Sequence, residues 1–257
     1  MLVAIDVGNT QTVVGLFRDD ALVSHWRIAT NAERTSDEYA ILLQQFLDQD
    51  DVDFSMLHGV AISSVVPRVT AALREMGDRY LARPPMVIEP GVKTGMAILY
   101  DNPKEVGADR IANAVAAFEQ FGGPAIVVDF GTATTVDAIS ANGEYLGGAI
   151  VPGIEISLDA LFGRAAALRR VELVAPKHVI GKSTVESIQA GAVYGFTGQV
   201  DAIVDRIAAE LGTATVIATG GLAGLLLPYS RTIEHHEPWL TLDGLRIVFA
   251  RNADDLA

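Results

Sequence analysis

Two short segments of the chain place an aspartate two residues before a glycine, with small hydroxyl or amide residues after it. Asp6-Val7-Gly8-Asn9-Thr10-Gln11-Thr12-Val13 lies near the start, and Asp129-Phe130-Gly131-Thr132-Ala133-Thr134-Thr135-Val136 repeats the pattern at a constant shift near mid-chain. Apolar runs flank both, which predicts a β-hairpin whose tight turn offers a carboxylate and backbone N–H groups to a polyanion. Two such turns facing one another would hold phosphates. A third segment, Gly107-Ala108-Asp109-Arg110, sets a carboxylate beside a guanidinium at the start of an alanine-rich helix. One group could accept a proton while the other binds an anionic substrate end. Taken alone, the pair also fits a helix start with aspartate near the positive end of the dipole.

Gly181-Lys182-Ser183-Thr184 has the ending of a Walker A loop, but the glycine required five places earlier is Pro176. It reads instead as a helix N-terminus capped by Ser183 or Thr184, with Thr184 a candidate ligand contact. His235 and His236 are adjacent, so in an extended segment they point to opposite faces and make no metal pair. There is no Gly-x-Ser-x-Gly elbow and no Gly-x-Gly-x-x-Gly after a strand, so hydrolase and dinucleotide readings lose support. Gly220-Gly221-Leu222-Ala223-Gly224 after an apolar run is either a tight strand-to-helix turn or a place where adenine or ribose nears the backbone.

The elements that must carry these groups also repeat. Residues 21–27 and 144–150 occupy matching places, so each half opens with three strands. Residues 60–65 and 216–221 both read as a strand ending in small residues, at a longer shift that leaves room for extra helix in the second half. The expected fold is α/β: two duplicated domains, 1–122 and 123–257, each a mixed sheet opening with three antiparallel strands and flanked by helices, with a cleft between. Thr35-Ser36-Asp37-Glu38 ahead of Tyr39, Leu42, Leu43 and Phe46 predicts a capped amphipathic helix. Pro67 opens another, running towards Leu81, and residues 86–88 predict a short strand. Residues 91–107 form a long irregular connection, followed by helices over 110–121, about 153–163 and about 184–211, and a last strand over 242–249.

A net charge of -13 repels nucleic acid and anionic lipid, so any anionic ligand must be held by local groups. With no cysteine there are no disulfides, thiolate metal sites or cysteine nucleophile. No apolar run approaches a membrane span and the first residues read as a strand, so a cytoplasmic protein is expected.

On these residues the chain resembles the type III pantothenate kinases, within the larger group of actin-like, sugar-kinase-like and Hsp70-like ATPases. The resemblance rests on Asp6-x-Gly8-Asn9-Thr10 with Gly15, Tyr100-x-x-Pro103-x-x-x-Gly107-x-Asp109-Arg110, and Asp129-x-Gly131-Thr132-Ala133-Thr134-Thr135. Gly147-Gly148-x-Ile150-x-Pro152-Gly153, Gly181-Lys182-Ser183-Thr184 and Ala218-Thr219-Gly220-Gly221 continue it. It implies a ribonuclease H-like fold in each half and ATP-dependent phosphorylation of pantothenate to 4'-phosphopantothenate, the first step towards coenzyme A. It further implies that Asp6, Val7, Gly8, Asn9, Thr10, Gln11, Thr12 and Val13 bind ATP together with Thr132. Asp129 would help bind a monovalent cation, potassium or ammonium, while Mg2+ arrives with ATP. Tyr100, Gly107, Ala108, Asp109 and Arg110 would line the pantothenate site with Asp109 as general base, and Thr184 would reach that site from the neighbouring subunit of a homodimer. Two other readings stay open: a sugar or small-acid kinase of the same group, and a non-catalytic nucleotide-binding regulator. An adjacent Asp and Arg suit an anionic hydroxy acid better than a sugar, whose pocket would more often gather several Asn, Asp and Glu residues.

Overall fold

A computed structural model describes residues 1–165 and 167–253. In chain order its elements are β1 (Leu2–Val7), β2 (Gln11–Arg18), β3 (Ala21–Ala29), α1 (Ser36–Leu47), β4 (Gly59–Ser64), α2 (Pro67–Tyr80), β5 (Met86–Val87), α3 (Ala108–Phe121), β6 (Ala125–Phe130), β7 (Ala133–Ile139), β8 (Tyr145–Pro152), α4 (Ile154–Arg164), α5 (Thr184–Leu211), β9 (Thr215–Thr219), α6 (Ala223–Leu226), β10 (His235–His236) and α7 (Leu240–Arg251). They form two compact units, Met1–Ala116 with Leu240–Ala257, and Ala117–Trp239. The second unit thus begins inside α3, and α7 returns to the first.

In the first unit the strand order is β3-β2-β1-β4-β5, with β1, β2 and β3 antiparallel and β1, β4 and β5 parallel. The second unit repeats it as β8-β7-β6-β9-β10, with the same directions. Central strands β1 and β6 are apolar and buried along almost their whole length, as expected when both faces of a sheet are covered. Edge strand β3 instead alternates between exposed and half-buried residues. In the first unit one face of the sheet packs Val3, Ile5, Leu16 and Ile62 against Leu43 and Leu73 of α1 and α2. In the second, Ile126, Val128 and Val136 meet Val193, Val200 and Val204 of α5. The predicted cap of α1 is present as a reciprocal box: Thr35 Oγ1 accepts from the Glu38 N–H, and the Glu38 carboxylate accepts from the Thr35 N–H at 2.7 Å.

Two local expectations are corrected. Residues 242–249 belong to helix α7, not to a strand. Their run of Leu, Ile, Val and Phe has the composition of a strand, but as a helix it packs on β1, β2 and β4, and a Cβ on Gly244 would run into the Ala112 backbone of α3. The repeat is also not constant in shift. Asp6 pairs with Val13, whereas Asp129 pairs with Thr135, so the second connection is one residue shorter than the first. Beyond the turn the partner of Gly15, which faces Ala4, is therefore Asp137, which faces Val127.

Candidate active site

The first Asp-x-Gly turn is braced by a residue that its own sequence does not reveal. The Gly8 N–H closes the hairpin on the Gln11 carbonyl at 3.0 Å. From the end of β3, the Thr30 hydroxyl donates to the Gly8 carbonyl at 2.7 Å, and the Thr30 N–H donates to the Thr10 carbonyl at 3.0 Å. Thr12, buried, shares a 2.9 Å hydrogen bond with the Thr30 hydroxyl, so its side chain supports the turn from beneath. Asn9, Thr10 and Gln11 form the exposed tip, and Asp6, Gly8 and Val13 are half-buried. Val7 is in the core.

Around the second turn the backbone itself closes in. The Gly131 N–H bonds the Ala133 carbonyl at 3.1 Å, and the N–H of Gly153, the cap of α4, bonds the Thr132 carbonyl at 3.1 Å. A Cβ on Gly153 would meet the Gly131 and Thr132 carbonyls. Gly220, at φ +91°, lies so close to the turn that a Cβ there would stand 2.5 Å from Asp129 Oδ1. Asp129, Thr132, Gly153 and Gly220 are therefore gathered from β6, the turn, the start of α4 and the end of β9. Among the described residues no three or more His, Cys, Asp or Glu side chains group as a metal site.

In the first unit, Gly107, Ala108, Asp109 and Arg110 open α3. Asp109 Oδ1 turns back over the helix start: it accepts from the Arg110 N–H at 2.8 Å and occupies the space that a Cβ on Gly107 would need. Glycine is thus required at 107 for the carboxylate to lie there. Arg110 is 7% exposed, and burial strengthens the pull of its guanidinium on a carboxylate. Tyr100 is half-buried in the irregular 91–107 segment. That segment is pinned to the end of α7: Asn252 Oδ1 accepts from the Lys93 N–H at 3.0 Å, its amide donates to the Lys93 carbonyl at 2.9 Å, and the Arg251 guanidinium donates to the Thr94 carbonyl.

Thr184 stands in the second unit, exposed at the first turn of α5, where Ser183 is the cap and accepts from the Glu186 N–H. Beside it is an open cavity of about 950 Å³ lined by Leu158, Leu161, Lys182, Ser183, Ile188 and Phe196, among others. Val179 and Ile180 nearby are 65% and 82% exposed, so this part of the unit carries an uncovered apolar surface. No helix among the described residues is long and apolar enough to cross a membrane.

Thr30 and Asn252 were not among the residues singled out from sequence, Gly153 entered only as part of a motif, and Gly220 was expected to near a nucleotide and not to press on Asp129. Gly220 had a visible signal, a glycine pair directly after an apolar strand. For Thr30 and Asn252 the relevant partners lie far away in the chain.

The sequence pattern of the family described as type III pantothenate kinase matches residues 2–206. The chain is 57% identical to the type III pantothenate kinase of Moorella thermoacetica, over 98% of this chain and 100% of the relative. Its fold is similar to that of (R)-2-hydroxyglutaryl-CoA dehydratase component A of Acidaminococcus fermentans, with a TM-score of 0.59, 16% identity and 98% of each chain covered. It is also similar to that of the inorganic polyphosphate/ATP-glucomannokinase of an Arthrobacter strain, with a TM-score of 0.52, 15% identity and 98% of each chain covered.

Proposed function

The chain belongs to the type III pantothenate kinases, and from that premise we propose how its residues divide the work. The enzyme uses ATP to phosphorylate pantothenate in coenzyme A biosynthesis. Phosphoryl transfer asks a protein mainly for positioning and charge neutralisation, because the transition state is loose and its charge lies on peripheral oxygens. Residues 6–13 take the phosphates of ATP, with the exposed tip at Asn9, Thr10 and Gln11 as the contact and Thr30 as its brace. Thr132 also touches ATP. Magnesium arriving with ATP would supply neutralisation of phosphate charge, and Asp6, the carboxylate of the first turn, would help to hold it.

Asp129 contributes to a monovalent-cation site, supported by the carboxylate and backbone gathered there around Gly153 and Gly220. Arg110 takes the carboxylate of pantothenate, which fixes the end of the substrate that meets ATP, and Tyr100 and Gly107 line the same site. Asp109 accepts the proton of the attacking hydroxyl. Thr184 reaches this site from the partner in a homodimer, a reading supported by the uncovered apolar surface around Val179 and Ile180. With ATP as co-substrate, the cytoplasm is the expected place of action.

The observation that carries this reading is the start of α3, where Asp109 and the buried Arg110 follow Gly107 in one helical turn. Asp109→Asn tests it cleanly, because the amide oxygen can still accept from the Arg110 N–H. Turnover is expected to fall by about 10² or more, with ATP affinity nearly intact. Near-normal turnover would remove Asp109 from the role of base. ADP release measured with pantothenate, sugars and small acids, in potassium and in sodium, checks substrate and cation together. Equal activity in the two salts would remove the selective cation at Asp129.

A further inference from the structure

Ser63 is wholly buried, and its Oγ has no hydrogen-bond partner among the described residues. Its neighbour Ser64 is engaged, accepting from the Val66 N–H at 3.2 Å and from the Thr70 hydroxyl at 2.7 Å. Ser63 sits near the end of β4, in register with Asp6 across the parallel β1–β4 pair. Directly paired residues leave a sheet on the same face, so Ser63 and Asp6 share the side on which α7 lies, where Phe249 covers Gly59 and Leu242 meets Gly15. The place is the carboxyl end of two adjacent parallel strands, where open α/β sheets bind ligands.

The second unit makes the same arrangement with different residues. Asp129 is in register with Thr219 across the parallel β6–β9 pair, and Thr219 is 2% exposed. Each Asp-x-Gly aspartate thus has a buried hydroxyl beside it on the next parallel strand. Packing does not explain the hydroxyl at 63. Alanine fills nearly the same space, while an unpartnered buried hydroxyl carries a desolvation penalty of about 1–3 kcal/mol. Unsatisfied buried polar groups that persist in a fold call for a functional account.

We propose that Ser63 is a positioning residue for Asp6: its hydroxyl supplies the hydrogen bond that fixes the Asp6 carboxylate when the first turn takes up magnesium-bound ATP. This rests on the assignment of that turn to ATP. A serine hydroxyl suits the task because its proton turns freely towards whichever acceptor arrives.

The test compares Ser63→Ala and Asp6→Asn with the wild type in three measurements: melting temperature without ligand, Mg·ATP affinity by calorimetry, and the KM of each substrate. A hydrogen bond to a charged group predicts that Ser63→Ala binds Mg·ATP about tenfold more weakly. Its melting temperature should be equal to or above that of the wild type, and its KM for pantothenate unchanged. Wild-type Mg·ATP affinity in Ser63→Ala, with Asp6→Asn weakened, overturns this proposal alone. A lowered melting temperature in Ser63→Ala also overturns it, by showing that the hydroxyl serves the fold. Undiminished Mg·ATP affinity in Asp6→Asn removes the assignment of the first turn itself, and the proposal with it.

Discussion

The two Asp-x-Gly hairpins begin as the same sequence word and end as different pieces of machinery. The first is held from below by hydroxyls, Thr12 and Thr30, and leaves its three-residue tip exposed. The second is one residue shorter and is held by bare backbone, with Gly153 and Gly220 pressed against it. The shorter turn also changes what lies beneath. Where the first sheet has Gly15 under Leu242, the second has Asp137, fully buried, accepting from the Tyr145 hydroxyl at 2.7 Å and the Thr135 hydroxyl at 3.0 Å. A duplicated hairpin can thus keep its strand directions while diverging in the chemistry of its turn, because one residue in the connection reassigns every partner beyond it.

The contrast is broken most forcefully at the glycines. Gly220→Ala combines a positive φ with a Cβ 2.5 Å from Asp129 Oδ1 and 2.6 Å from the Phe130 nitrogen. It should cost more than about 3 kcal/mol and eliminate most activity, as read by thermal melting and ADP release. Gly8→Ala, whose Cβ would stand 3.1 Å from the Gln11 carbonyl, should cost under about 1 kcal/mol. Equal penalties would mean that the two turns are held alike. Next in size is Asp137→Ala, which leaves the Tyr145 and Thr135 hydroxyls without that acceptor and should lower stability by about 2–3 kcal/mol in denaturant titration.

Thr30→Val removes the side-chain brace of the first turn while preserving shape. A loss of about 1 kcal/mol and a few-fold rise in the KM for ATP are expected, with the KM for pantothenate unmoved.

The smallest effect is electrostatic and lies in the second unit. Burial pushes Asp201 up, but the Ser230 and Thr232 hydroxyls and the Arg231 and Thr232 amides outweigh it and hold the carboxyl below its ordinary value of 3.8. A lowered folded-state pKa stabilises above the unfolded value and loses that contribution as pH falls through the folded one. Melting temperatures of the wild type and Asp201→Asn should therefore differ most near neutrality and converge below about pH 4. A gap that widens on acidification would mean that the Asp201 carboxyl is held above its ordinary value instead of below it.

Local features were plain in the sequence. The hairpins, the Thr35–Glu38 box and the long helix beginning at Thr184 are set by neighbours within a few residues, and the three-strand opening of each sheet follows from its tight turns. What escaped is set by distance. The run Leu245, Ile247, Val248 and Phe249 matches a strand in composition, and only its packing against α3 and the first sheet makes it a helix. The same holds in the site. Asp6, Asp109 and Asp129 stand out as candidates by type and spacing, but Thr30 bonds Gly8 from 22 residues away and Asn252 bonds Lys93 from 159. The shortened second turn was hidden because Thr134 and Thr135 offer the same hydroxyl to either alignment.

The return of α7 to the first unit sets an order on synthesis. The chain emerging from a ribosome presents β1 to β5 first, then the whole of the second unit, and only then the helix that places Phe249 over Gly59 and Leu242 against Gly15. Until then the face of the first sheet that bears Asp6 and Ser63 lacks this cover, while every residue of the later-made second unit is already available to fold. Translation therefore completes the first unit last.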